Sequence, residues 1–179
     1  MLKGENAVLM IVDVQGKLAG LMHECELFFA NIQKMIRSAQ ILDIPIIYTE
    51  QAPEKIGQTI QEITWLLGDL KPITKKSFSC CGSKEFMTAL QATGRKQILL
   101  TGMEAHVCLY QTARDLIKLG YDVHMVADAI SARSAASKHI ALERNKSEGA
   151  VITTFEMTLC ELMVTADHPK FREILGFMK

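Results

Sequence analysis

An acid, a cation and a thiol stand at or just beyond the carboxyl ends of three strand-like runs in this chain: Asp13, Lys75 and Cys108. They are the parts of a nucleophilic site, in which a thiol attacks, a carboxylate takes its proton and an ammonium steadies the charge. Cys108 falls near the first turn of an expected helix, where unpaired backbone amides favour an anion. Its pKa is therefore expected to be lowered, with Lys75 pushing the same way. Each residue also has a plainer use. A helix cysteine is often inert core, an aspartate closing a strand often caps the next loop, and Lys75 beside Lys76 reads equally as solvated surface. On residue type alone both readings stay open.

What would position these groups is an alternation of β-branched runs with amphipathic stretches. Ala7–Val12 is a compact apolar run ending at Asp13, the signature of a strand buried on both faces. Residues 24–42 carry Leu27, Phe28, Ile32, Met35, Ile36 and Ala39 at helical spacing, and 44–48 form a second strand with Pro45 near its start. A looser segment around Pro53 and Gly57 leads to a third strand at 72–74. Ser83 reads as an N-cap and Gly94 as the stop of the helix between them. Strands at 97–101, 121–127 and 150–153 alternate with helices at 107–119 and 137–148, and two short helices follow. This pattern predicts an α/β fold: one Rossmann-like, doubly wound domain over 1–179, with a mostly parallel six-stranded sheet and helices on both faces. With strand order 3-2-1-4-5-6, strands one and four straddle the switch point where such folds bind ligands, and strand three is two places away.

Composition narrows the function classes. Twenty basic residues balance twenty acidic ones. Without a basic stripe or tail, no nucleic-acid partner is expected, and weak long-range repulsion favours a homo-oligomer. No run approaches the roughly 20 apolar residues of a membrane span, and residues 1–6 lack the features of a signal peptide, so the expected setting is cytoplasmic. The five cysteines are odd in number and contain no CxxC pair, against a disulfide framework or a structural zinc. Cys25 and Cys160 are expected in the core. Cys80 and Cys81 are expected as small side chains packed near the pocket; a redox partnership with Cys108 is the rival reading.

Longer motifs sharpen the picture. Thr101-Gly-Met-Glu-Ala-His-Val-Cys108, with Gln111-Thr-Ala113 after it, resembles the nucleophile motif of the isochorismatase-like cysteine hydrolases. Asp13-Val-Gln15 resembles that family's first-strand motif, and Lys75-Lys-Ser-Phe-Ser79 its lysine motif. The lysine there precedes the aromatic residue by three positions, which selects Lys75 over Lys76. Tyr48-Thr-Glu-Gln51, Ala127-Asp-Ala129 with Ser131 and Arg133, and Asp167-His-Pro-Lys-Phe171 are similar to the isochorismatase domain-containing subgroup. The similarity runs from Val8 to about Phe171.

The resemblance implies a catalytic triad of Asp13, Lys75 and Cys108. It also implies a cis peptide between Met103 and Glu104 that aims the Glu104 amide, with that of Cys108, at an oxyanion. Gln15, Gln51, Phe78 and His106 are the expected substrate-binding residues. The implied reaction is hydrolysis of a small-molecule C–N or similar acyl bond through a thioester on Cys108. Vinyl ether hydrolysis of the isochorismate type and a low-turnover binding or scaffold role are the alternatives. Nicotinamidases of the family hold a metal ion after the second strand with an aspartate and histidines. Here that place reads Thr49-Glu-Gln-Ala52, and none of His23, His106, His124, His139 or His168 is near in sequence, so no metal is expected. Gln15-Gly-Lys17 lacks the glycine spacing of a dinucleotide site, so no nucleotide cofactor is expected either.

Overall fold

The computed structural model describes residues 1–178. Its centre is β1 (Ala7–Val12), buried along its whole length. Alternate side chains serve opposite faces: Ala7, Leu9 and Ile11 join one apolar cluster, and Val8, Met10 and Val12 join the other. That period-2 alternation explains why the run is apolar at every position, since neither face meets water.

A short α1 (Gly16–Ala19) and a long α2 (Cys25–Ile41) follow, then β2 (Ile46–Gln51), α3 (Pro53–Ile56), α4 (Gln61–Leu67) and β3 (Ile73–Lys75). The second half contains α5 (Lys84–Ala92), β4 (Gln97–Gly102), a π-helical turn (Ala105–Leu109), α6 (Tyr110–Lys118), β5 (Asp122–Ile130) and α7 (Ala135–Ser147). It ends in β6 (Val151–Thr153), α8 (Phe155–Met163) and α9 (Phe171–Leu175). The sheet is parallel throughout, in the expected order β3-β2-β1-β4-β5-β6. One face is covered by α2, α4, α8 and α9, through Phe28, Ile63, Phe155 and Ile174. The other is covered by α5, α6 and α7, through Phe86, Leu116 and Ala141. Among the described residues no helix is long and apolar enough to cross a membrane.

Four local departures from the sequence reading matter. β2 begins and ends later than 44–48, because Pro45 offers only its carbonyl, to Leu9 N–H. The strand then runs on through Thr49, Glu50 and Gln51, whose side chains find partners inside. The segment around Pro53 and Gly57 folds into α3 and α4. Pro53 opens α3 at its first position, and Ile63 and Leu67 bury one side of α4. The helix over 107–119 is split, its first part being the π turn. Cys160 on α8 is exposed and not the core residue expected, whereas Cys25 is half-buried and packs against the edge of the core. The caps read more faithfully. Ser83 Oγ accepts Phe86 N–H, and Ser134 and Thr154 cap α7 and α8 in the same way.

Candidate active site

The carboxyl ends of β1, β2 and β4 and the loop after β3 converge on one small cavity of ≈ 130 Å³. Asp13 follows β1 directly, with backbone φ of +55°, and its N–H donates to Thr49 O at 3.2 Å. A non-glycine residue in the left-handed region costs roughly 1–2 kcal/mol, so the fold holds Asp13 there against local preference. Lys75 is the last residue of β3 rather than beyond it, in register with Gln51 of β2. Its ammonium lies 2.6 Å from Asp13 Oδ2, and the lysine side chain is completely buried. Asp13 Oδ1 accepts the Thr49 hydroxyl at 2.7 Å, so both carboxylate oxygens are fixed.

Cys108 reaches the same cavity from the π turn. Its thiol donates to Gln51 Oε1 at 3.2 Å, and Lys75 Nζ donates to that same oxygen at 3.2 Å. An ammonium has donors only, so this contact fixes which end of the Gln51 amide faces it. Lys75 also donates to the carbonyls of Ser77 and Phe78. The three residues singled out by type and spacing are thus brought together, with Gln51 joining the lysine to the thiol.

The expected lowering of the Cys108 pKa is overturned. Burial pushes the thiol up, the Asp13 charge and hydrogen bond push it further, and Lys75 opposes them without prevailing. The physical reason is position. A thiol 7% exposed beside a carboxylate loses more from desolvation than a helix start returns. Its resting form is the protonated thiol. Cys80, completely buried behind Thr49, is likewise pushed up to about 12, first by burial and then by Asp13.

The expected cis bond is absent: every peptide among the described residues is trans. Glu104 turns the chain instead, with φ of +58°, and its N–H carries no hydrogen bond to the described residues. Gly102 before it cannot be replaced freely, because a Cβ there would run into the Val12 backbone and its φ is +130°. The Glu104 carboxylate is held by Arg133, with Nε and Nη2 at 3.2 and 3.3 Å. Ser131 braces the turn through Ala105 N–H to its carbonyl.

The remaining expected residues divide. Gln51 and Phe78 line the cavity, and so does Gln15. The Gln15 amide, however, is spent on backbone: Nε2 donates to Gln51 O and Gly57 O, and Oε1 accepts Gln51 N–H. His106 does not line it; its Nε2 lies 3.8 Å from Glu104 Oε2. Glu50, buried at 4% exposure, accepts both Thr59 N–H and the Thr59 hydroxyl and so pins the segment before α4. Among the described residues no three His, Cys, Asp or Glu side chains converge as metal ligands. Thr49 and Arg133 are the contributors whose contacts were not foreseen. A polar residue amid an otherwise buried strand was the available signal for Thr49.

A family model, the isochorismatase domain, matches residues 7–157. Isochorismatase domain-containing protein 1 of Danio rerio is 40% identical over 147 residues, which are 82% of this chain and 52% of that protein. The chain therefore spans about half the length of that relative. A solved structure described as MAR1 ribonuclease from Caenorhabditis elegans superimposes with a TM-score of 0.92 at 35% identity, covering 99% of this chain and 91% of the other. The ycaC gene product of Escherichia coli, described as an octameric hydrolase of unknown specificity, gives 0.88 at 26% identity, covering 98% and 94%. With the domain model matched over residues 7–157 and the sheet order in place, this chain belongs to the isochorismatase family.

Proposed function

We propose that this chain is a cysteine hydrolase that cleaves a C–N or similar acyl bond of a small molecule through a thioester on Cys108. The observation that carries the reading is one cavity lined by Asp13, Gln51 and Cys108, with Lys75 buried behind them. There Asp13 is paired with Lys75 at 2.6 Å, and the Cys108 thiol is linked to that lysine through Gln51 Oε1.

Because the resting thiol is protonated, ionisation accompanies attack. Asp13 takes the proton as Sγ bonds to the acyl carbon, and Lys75 offsets the negative charge that gathers. The amides of Glu104 and Cys108 receive the oxyanion. As the tetrahedral adduct collapses, the C–N bond breaks and Asp13 passes its proton to the leaving amine. Water then adds to the thioester with Asp13 again as base, releasing the carboxylic acid and restoring the thiol. No metal or organic cofactor takes part in this scheme. A cytoplasmic, reducing setting keeps Cys108 a thiol, and self-association like that of the E. coli neighbour belongs to the same reading.

Vinyl ether hydrolysis is the second reading, favoured by the family match itself. The ribonuclease name belongs to the worm protein; a cavity lined by two carboxylates and no exposed cation speaks against a phosphodiester substrate here. The test is to incubate the protein with slow amide and ester substrates and weigh it. An acyl mass on Cys108, lost in Cys108→Ala together with turnover, is the expected result. Full hydrolysis by Cys108→Ala would end the covalent mechanism.

A further inference from the structure

The lining of the cavity bears on which acyl groups enter. Leu18, Ile56, Phe78, Met103 and Val107 form its walls, and the charged residues lining it, Asp13 and Glu104, are both acidic. Lys75 balances the charge of Asp13 but offers a ligand no free donor. Its side chain has no exposed surface, and its three protons already face four oxygens: Asp13 Oδ2, Gln51 Oε1, Ser77 O and Phe78 O. Arg133 holds both oxygens of Glu104 through Nε and Nη2, and it does not line the cavity. What remains for recognition is the Gln51 Nε2 amide, which has no acceptor among the described residues, and the free Glu104 N–H. Both are uncharged donors that suit a carbonyl oxygen. At ≈ 130 Å³ the space is well below the roughly 300–1,000 Å³ of sites for drug-sized ligands.

Resting on the hydrolase reading above, we infer that the substrate is a compact, uncharged acyl compound with an apolar acyl chain, and that the site rejects anions. A carboxylate entering here would meet Asp13 and Glu104 without gaining a cation, so its desolvation would go uncompensated. The same field has a second effect. Hydrolysis turns a neutral amide into a carboxylate, and the pocket that admits the first repels the second, so the product leaves as it forms. A dianionic vinyl ether such as isochorismate is selected against by the same features, which sets this inference on the side of the acyl-bond reading.

The test compares two isosteric alkylating agents that differ in charge, iodoacetamide and iodoacetate, at mildly alkaline pH. The exposed Cys160 serves as the internal reference for their intrinsic reactivity. The amide-to-acid rate ratio at Cys108 should exceed that at Cys160 by about tenfold or more. Glu104→Gln should shrink this preference severalfold, and Arg133→Gln, which frees the Glu104 charge, should enlarge it. The two variants move in opposite directions, so misfolding of one leaves the other decisive. Equal ratios at the two cysteines once the slowly reacting Cys108 is measurably alkylated, or a preference for iodoacetate there, would each overturn the proposal. Selective labelling with no acyl adduct from any neutral amide would instead remove the hydrolase reading and leave the charge selection standing.

Discussion

The two ends of this sheet are both rich in buried polar contacts, yet they are built for different ends. At the amino ends of the strands, Gln97 takes Lys3 N–H and donates to Asp122 and to Met1 O, while Arg95 clamps the carbonyls of Gly4 and Ala7. The Asp122 carboxylate meets His124 at 3.0 Å. These contacts tie the N-terminus to β4 and β5. At the carboxyl ends, both oxygens of Asp13 and the ammonium of Lys75 are as fully bonded, but Asp13 and Gln51 line a cavity with a thiol on its floor. Backbone conformation separates the two ends as well. Gly94, Gly120 and Gly149 take the left-handed turns before β4, β5 and β6, and Asp43 before β2 is the non-glycine exception at this end. After β1, β2 and β4 the left-handed positions include Asp13, Ala52 and Glu104. Buried polarity alone therefore does not mark a site. Polarity that faces a reactive atom, held by residues in costly conformations, does.

The largest expected effect is on turnover. With a processed substrate in hand, Cys108→Ala and Asp13→Asn should each lower kcat by on the order of 10³-fold or more, and the double variant should be scarcely worse than either. Asp122→Asn at the other end should leave kcat within about twofold, as read by steady-state kinetics. A comparable loss there would break the distinction between the ends.

Next in size is the charge balance of the buried pair. Lys75→Ala strands the Asp13 carboxylate in the interior and should cost about 3–5 kcal/mol in denaturant unfolding. Changing both, Asp13→Leu with Lys75→Met, should recover much of that stability while activity stays lost. Stability and turnover would then part company at one end of the sheet only.

Strain offers a smaller test. Ala52 has φ of +39°, and its bonds are all backbone ones: its N–H donates to Lys75 O and its carbonyl accepts Lys55 and Ile56 N–H. Ala52→Gly removes that strain but adds freedom to the unfolded chain, for a net gain below about 1 kcal/mol. A clear loss would mean that the Ala52 methyl group is needed for packing.

The smallest effect belongs to Asp122. Burial raises its pKa, but hydrogen bonds from His124 and Gln97 and the His124 charge outweigh it and leave the group below the usual carboxylate range. A carboxyl with a depressed folded pKa stabilises above its unfolded value near ~4 and loses that contribution as pH falls through the folded one. Wild type should thus exceed Asp122→Asn by less than about 1 kcal/mol at neutral pH, since the side chain is 48% exposed. The gap in unfolding midpoints should close under acid.

Much of this was legible in the residues. The apolar run of β1 is found with its expected bounds, because full burial leaves an unmistakable pattern. The alternation of elements implied a parallel doubly wound sheet, whose common order 3-2-1-4-5-6 is the one found, and motif spacing chose Lys75, the lysine that pairs with Asp13. What escaped was set by three-dimensional company. Gln51 could not be joined to Lys75 and Cys108 until the β2–β3 register was known. The direction of the Cys108 shift depended on how deeply the thiol lies, which helix position does not reveal. The Glu104–Arg133 pair spans 29 residues of sequence and has no periodicity to announce it.

The π turn at Ala105–Leu109 has one more consequence, for chain length. Such a turn is an α-helix carrying an extra residue. Each residue of an α-helix advances the side-chain direction by about 100°. Deleting a single codon within 105–107 would let the segment relax into an ordinary α-helix joined to α6. The thiol would then be rotated out of line with Asp13, although every functional side chain was still encoded. The placement of the nucleophile is a matter of phase as much as of residue identity, and insertions and deletions will be tolerated less well in this stretch than conservative substitutions.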